Sequence, residues 1–406
     1  MKHKLKLNLK LKGIITILLV SGLSSTVKAN NDSAHLPPEV SAAEAKVSFW
    51  DMPYLKKAFI DSTPSQRNDN IEVGQLGTDG GKKQQILKLA KDIANKKYGL
   101  IDSLLIAQNN KLLFESYYLR GRVDLPHMQA SSTKSYVSLA IGRAIQLGYL
   151  TMNDLNKPVV SFLKDLDRSK LVEGAQKITL HKALSMQSGM QITREQLKTF
   201  KNNPSKLKGQ GQIQTFLENS PPISAQTQQF KYTNTDPILV MQVLDAVVPG
   251  SAKDFIKTEL LDKMGISNYE WKDDVSGLPM GPYSSSMTSR NMIKWGTLVQ
   301  NNGKWNGQQL ISADYITKAT NSIVYPKAKE TFFISDTVTT PGYGYYFWQA
   351  NMKIGNKNYS TRSAQGGGGQ YIILIDELDL VIVLTAHERD DKSMQIAAQR
   401  VLPAFI

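Results

Sequence analysis

Three short stretches of the chain hold residue types whose spacing fits covalent chemistry: Ser131-Ser132-Thr133-Lys134, Tyr232-Thr233-Asn234, and Gly366-Gly367-Gly368-Gly369-Gln370. On a helix, residues three apart are neighbours, so Lys134 can reach the Ser131 hydroxyl. A serine hydroxyl is a poor nucleophile near neutral pH and needs an adjacent base. Lysine serves as that base only if burial or a nearby positive field lowers its pKa. A helix N-terminus supplies such a field, and its free N–H groups can stabilise an oxyanion. A tyrosine hydroxyl nearby can pass a proton to the leaving group, and an asparagine amide can bond both lysine and substrate. Glycines let backbone N–H groups approach a ligand closely.

Each stretch alone has a simpler explanation. S-x-x-K begins at Ser25, Ser131, Ser161 and Ser205, and a capping serine beside a solvated lysine accounts for an isolated copy. Tyr232-Thr233-Asn234 is the only Y-x-N among sixteen tyrosines, yet Asn234 before Asp236-Pro237 also reads as turn chemistry. The glycine run also suits a tight hairpin connection.

Other chemistries fall away. There is no cysteine, which excludes thiol nucleophiles, disulfides, cysteine metal sites and a lipidated N-terminal cysteine. The nucleophile elbow G-x-S-x-G is missing, and the glycines from Gly74 to Gly81 lack the Ser/Thr of a phosphate-binding loop. His387-Glu388 has no second histidine at zinc-protease spacing, and His35, His127 and His181 show no ligand-like spacing to it. Neither metal nor cofactor is expected.

The elements that must position these residues are partly readable. Ile86, Leu89, Ile93 and Ala94 recur at helical period. Ser103–Ala107 and Leu112–Tyr117 flank Gln108–Lys111 as a β-hairpin. A helical pattern over 135–147 stops at Gly148. Leu239–Val248 and Ile256–Met264 read as helices. Tyr343–Met352, Lys357–Ala364, Tyr371–Ile375 and Leu380–Thr385 read as strands, and Met394–Leu402 as a closing helix. Strands at both ends with helices between predict an α/β (α+β) fold: an antiparallel sheet with flanking helices and an inserted all-helical domain. The boundaries expected are a loosely ordered lead-in at 30–80, a sheet domain from 81–155 and 290–406, and a helical domain at 156–289.

The charge balance concerns export more than partners. Of the formal +14, residues 1–29 carry six lysines and no acid, so their removal leaves +8. Basic residues 2–12, the apolar run Gly13–Leu23 and the ending Val27-Lys28-Ala29 have the layout of a secretory signal peptide, too short to span a bilayer. The expectation is an exported protein, periplasmic or secreted, with no stable membrane anchor after cleavage. The remaining charge is scattered and names no nucleic-acid partner.

Taken in order, S-x-x-K, Y-x-N and a glycine-rich strand edge make this sequence resemble the serine β-lactamase-like and penicillin-binding-protein-like hydrolases. The likeness is nearest to the class C-related branch that holds 6-aminohexanoate-dimer hydrolases, esterases and D-amino-acid peptidases. It runs from about Ile101 to the C-terminus and includes Ile178-Thr179-Leu180 through Ser188-Gly189-Met190, Ser286–Arg290 and Gly342-Tyr343-Gly344-Tyr345. The resemblance implies Ser131 as the acylated nucleophile, Lys134 as its base, Tyr232 as proton shuttle and Asn234 as positioning amide. It implies an oxyanion hole from the Ser131 N–H and an N–H of the glycine run, at Gly366 or, more in keeping with the family, Gly367. The chain departs from β-lactamases in lacking Lys-Thr-Gly or His-Thr-Gly on the last active-site strand, where Thr361-Arg362-Ser363-Ala364 stands. A small ester or amide is therefore favoured over efficient β-lactam turnover. The competing expectation is a non-catalytic or weakly active envelope protein that binds peptidoglycan-type ligands. Oligomeric state is not encoded in any of these features.

Overall fold

The computed structural model describes residues 36–406 apart from Phe332, so the expected signal segment 1–29 lies outside the described residues. The stretch with lead-in composition is not loose. It carries β1 (Phe59–Asp61) and β2 (Glu72–Val73), and α1 (Lys83–Ala94) follows it. Next come β3 (Ile101–Gln108) and β4 (Lys111–Tyr117). Asn109 and Asn110 join them with φ of 50° and 64°, the left-handed region that asparagine tolerates and a two-residue hairpin requires. β1 pairs antiparallel with β4, and β2 pairs parallel with it. Isolated polar composition misled here because so short a strand needs few apolar residues when a partner supplies the hydrogen bonds.

The middle of the chain holds β5 (His127–Met128), α2 (Thr133–Gln146), α3 (Leu180–Leu184), α4 (Arg194–Phe200), α5 (Gly211–Asn219), α6 (Thr235–Val247) and α7 (Ala252–Ile256). It is not wholly helical. β6 (Tyr269–Trp271) and β7 (Ser285–Met287) form a three-stranded sheet with β5, in the order β5-β7-β6. After α8 (Ser289–Gln300), a small hairpin of β8 (Lys304–Trp305) and β9 (Gln308–Gln309), and α9 (Ala313–Thr320), the chain returns to the large sheet.

That return uses β10 (Val338–Tyr343), β11 (Trp348–Ile354), β12 (Lys357–Gly366), β13 (Gln370–Ile375) and β14 (Leu380–Ala386), followed by α10 (Ser393–Ile396) and a helical continuation to Ala404. The apolar run that reads as one strand from Tyr343 to Met352 is broken. Gly344 to Phe347 form a tight turn with Tyr346 at φ 63°, which burial of its aromatic side chains disguises in the sequence. Among the described residues the large sheet has nine strands, ordered β1-β4-β3-β14-β13-β12-β11-β10 with β2 beside β4. β13 and β14 are buried at every position, as strands covered on both faces must be. α8 lies across β3, β13 and β14, and a Cβ at Gly296 would collide with Val381 and Ile372. Glycine therefore sets how closely that helix approaches the sheet. The N- and C-terminal strands thus meet at β3–β14, near the middle of one sheet that is antiparallel apart from the β2–β4 pair and is flanked by helices.

A buried ion network ties α8 to this sheet. Arg290 donates to Glu115 Oε2 at 2.7 Å and to Asp69 Oδ2 at 2.6 Å, and Tyr117 donates to the other Glu115 oxygen at 2.6 Å. Burial pushes the Glu115 carboxyl up, against the pull of Arg290. Removing the cation leaves a buried carboxylate without its counter-charge, which costs about 3–5 kcal/mol. Arg290→Met is expected to lower the urea midpoint accordingly, whereas a variant at exposed Lys329 should leave it unchanged.

Candidate active site

Ser131 sits where the small sheet hands over to a helix. After β5, Ala130 adopts φ 43°, a left-handed conformation that strains a residue with a Cβ. A 3₁₀ turn, Ala130–Ser132, then runs into α2. Ser131 thus lies in an opening turn, where N–H groups have no intrahelical carbonyl to bond. The turn packs on the ends of β12 and β13, and the Ser132 hydroxyl bolts it there by donating to the Gln370 carbonyl at 2.9 Å. A Cβ at Gly366 would strike the Gln129 carbonyl oxygen, so glycine is what lets β12 approach the nucleophile turn. Gly367 is exposed in the β12–β13 turn, and its N–H makes no hydrogen bond among the described residues.

The spacing argument for lysine holds in three dimensions. Lys134 Nζ lies 2.9 Å from Ser131 Oγ and donates to the Pro282 carbonyl at 2.9 Å. The side chain is 1% exposed, and burial lowers its pKa from 10.5 to about 7. No carboxylate is paired with it among the described residues, so nothing offsets the loss of solvation. A neutral amine at neutral pH can accept the serine proton.

Tyr232 is brought to the same place. Its ring centroid is 4.9 Å from Lys134 Nζ, and the ring stacks on Trp348 at 5.7 Å. Although the residue is 36% exposed overall, its hydroxyl end is enclosed beside Ser131. Burial pushes the phenol up to about 12, with a hydrogen bond to Ser131 acting the other way. It stays protonated at neutral pH and can donate. Asn234 differs from expectation. It precedes α6, is exposed, and its side chain makes no hydrogen bond among the described residues. The second lysine partner is the Pro282 carbonyl instead, an acceptor with no side-chain signature to find in a sequence.

Contacts also fix several other side chains. Arg362 is held by the Asp376 carboxylate and by Thr320 Oγ1 at 3.0 Å, so it is not a free cation on β12. Tyr345, Tyr346 and Trp348 are buried, and the Tyr346 hydroxyl donates to the Ala183 carbonyl; they pack the core. Two histidines far apart in sequence meet on one buried carboxylate. His127 Nε2 lies 3.1 Å and His387 Nδ1 2.7 Å from Asp102 Oδ2. Burial pushes the Asp102 carboxyl up, but the hydrogen bonds from both rings outweigh it and leave it below its ordinary value. The cluster fastens the strand leading to Ser131 onto β3 and the end of β14. Among the described residues no group of three His, Cys, Asp or Glu is placed to hold a metal, and no helix is long and apolar enough to cross a membrane.

The sheet, its flanking helices and the Ser–Lys pair at one strand end define the architecture of serine β-lactamase-like hydrolases. The sequence matches the family described as Beta-lactamase over residues 99–404, and the chain belongs to that family, whose members are serine hydrolases. Solved structures agree in fold. A putative beta-lactamase from Bacteroides dorei DSM 17855 superposes with a TM-score of 0.62 at 15% identity, covering 80% of this chain and 99% of that one. A putative 6-aminohexanoate-dimer hydrolase from Bacillus anthracis gives 0.55 at 17% identity, covering 82% and 83%. The octameric penicillin-binding protein homologue from Pyrococcus abyssi gives 0.57 at 17% identity, covering 79% and 77%. Comparison with curated protein sequences finds no match.

Proposed function

We propose that this protein is an exported serine hydrolase that cleaves a small ester or amide through an acyl-enzyme on Ser131. The observation that carries the reading is the 2.9 Å approach of a buried lysine, lowered to about 7, to a serine in a helix-opening turn. Lys134 takes the Ser131 proton as Oγ attacks the substrate carbonyl. The N–H groups of Ser131 and Gly367 hold the oxyanion. Tyr232 donates to the departing alkoxide or amine and recovers its proton through Lys134. Water then attacks the acyl-enzyme by the same route in reverse, releasing the acid and free Ser131. No cofactor takes part in these steps.

Ester or amide specificity is favoured because the glycine end of β12 carries neither Lys-Thr-Gly nor His-Thr-Gly, and its Arg362 is paired with Asp376. The export part of the reading rests on residues 1–29 of the sequence. A panel of acyl esters, aminohexanoate amides, D-alanyl peptides and a chromogenic cephalosporin tests the substrate class. Turnover of an ester or amide at least a hundredfold faster than the cephalosporin is expected. Binding of D-alanyl peptides with no turnover of any member would overturn the proposal in favour of a sensor or binding protein.

A further inference from the structure

We infer that Asp236, a buried carboxylate outside the set of Ser131, Lys134 and Tyr232, is a positioning residue: it fastens the loop that carries Tyr232 so that the phenol is aimed at the leaving group. This inference rests on the hydrolase reading above and adds a residue that acts through its proton donor. Asp236 lies in the first turn of α6 and is 1% exposed. Its Oδ1 accepts from the Ser188 hydroxyl at 2.7 Å and from the Thr233 hydroxyl at 3.2 Å, and its Oδ2 from the Ser188 N–H at 3.3 Å. One carboxylate thus joins the residue that follows Tyr232 to the segment after α3. On the other side of Tyr232, the Lys231 N–H donates to the Met186 carbonyl at 2.9 Å. Both chain neighbours of Tyr232 are therefore tied to the same segment.

Helix capping does not account for the arrangement. A capping side chain accepts from the N–H groups of its own helix's first turn, whereas the bonds of Asp236 run to Ser188, 48 residues earlier, and to Thr233 ahead of the helix. No cation pairs with the carboxylate among the described residues, and burial pushes it up to about 6. Burying a charge in this way costs stability. What it supplies, and an apolar side chain in the same space would not, is the link between Thr233 and Ser188. Tyr232 needs such a link. Its ring stacks on Trp348 and meets Tyr343 edge-on. A stack fixes the plane of a ring but not how far its hydroxyl reaches, which the backbone on either side sets. Displacing a reacting group by about 1 Å can cost on the order of a hundredfold in rate.

The test is kcat/KM at pH 8 for p-nitrophenyl, phenyl and trifluoroethyl butyrates, measured on the wild-type protein, Tyr232→Phe, Thr233→Val and Asp236→Asn. The three leaving groups are increasingly basic, so their departure relies increasingly on a proton donor. Thr233→Val keeps the shape of the side chain and removes the hydroxyl that reaches Asp236. The wild-type values should fall least across the series and those of Tyr232→Phe most. Thr233→Val and Asp236→Asn should lose less than about threefold on the p-nitrophenyl ester and about ten- to a hundredfold on the trifluoroethyl ester. Labelling of Ser131 by a fluorophosphonate at close to the wild-type rate shows that a variant is folded, and Thr233→Val decides alone if Asp236→Asn does not fold. A merely structural role would lower all three esters in the same proportion. That result, unchanged values in the folded variants, or a Tyr232→Phe series no steeper than wild type would overturn this inference and leave Ser131 as the nucleophile. Absence of any Ser131-dependent turnover, with no labelling of Ser131 by a fluorophosphonate, would overturn both this inference and the hydrolase reading.

Discussion

Replacing Ser131 by alanine is expected to lower kcat/KM for the best ester or amide by about 10⁴-fold or more, and to abolish labelling by a fluorophosphonate. The magnitude follows from the role. A nucleophile that forms the covalent intermediate is part of a unit with its base, and removing it forfeits nearly all of the unit's rate enhancement, on the order of 10⁴ to 10⁶. Oxyanion donors and substrate binding supply only what is left. The variant should fold normally. Ser131 Oγ contacts Lys134, and losing one partly exposed hydroxyl costs little. Unchanged circular dichroism and an unchanged melting temperature would separate lost chemistry from lost structure. Hydrolysis by the alanine variant at the wild-type rate would place the nucleophile elsewhere.

Lys134→Met should move activity and stability in opposite directions. Without the base, kcat/KM is expected to fall by about 10³-fold or more. Stability should rise. The folded protein holds Lys134 at about 7, whereas in the unfolded chain it titrates near 10.5. Between those values the unfolded state binds a proton that the folded state does not. Wild-type stability therefore increases with pH across that window, and the full penalty applies below pH 7. Taken whole, the difference amounts to about 5 kcal/mol, from which the lost bond to Pro282 and the repacking must be subtracted. A net gain on the order of 1–3 kcal/mol at pH 7 is expected for an isosteric apolar chain. Urea denaturation at pH 7 and pH 9 checks it: the wild type should gain stability over that interval, and the variant should lack that contribution. An inactive variant that is also less stable at pH 7 would show that Lys134 carries its charge comfortably and is not poised as a base.

What the sequence reveals of this site is its local part. Ser131 and Lys134 are three residues apart on one helix, so geometry alone joins them, and the Asn109–Asn110 hairpin is legible for the same reason. Tyr232 is brought in from 98 residues away, and only the order of motifs hints at it. Contacts made by the backbone leave no trace in residue types. The Pro282 carbonyl takes the lysine bond expected of Asn234, and the Gly366 approach to Gln129 shows up in the sequence merely as a glycine. The short strands Phe59–Asp61 and Glu72–Val73 are hidden because their partner β4, not their own composition, makes them strands. Likewise Tyr343–Met352 keeps its apolar character through a turn, since every side chain in that turn is buried. The meeting of His127 and His387 on Asp102 depends on β3 and β14 being neighbours, a fact of topology.

The pH dependence of Ser131 acylation tests most directly whether a neutral lysine activates this serine. The rate of covalent labelling by a fluorophosphonate, followed by intact-protein mass spectrometry from pH 5 to 9, isolates that step from product release. With Lys134 as the base, the rate should rise about tenfold per pH step below pH 7 and level above it, because the amine must lose its proton before it can take one from Ser131. Lys134→Met should remove the inflection along with most of the rate. A wild-type rate that is flat through pH 7, or that keeps rising unbent to pH 9, would contradict the assignment of Lys134 as the general base.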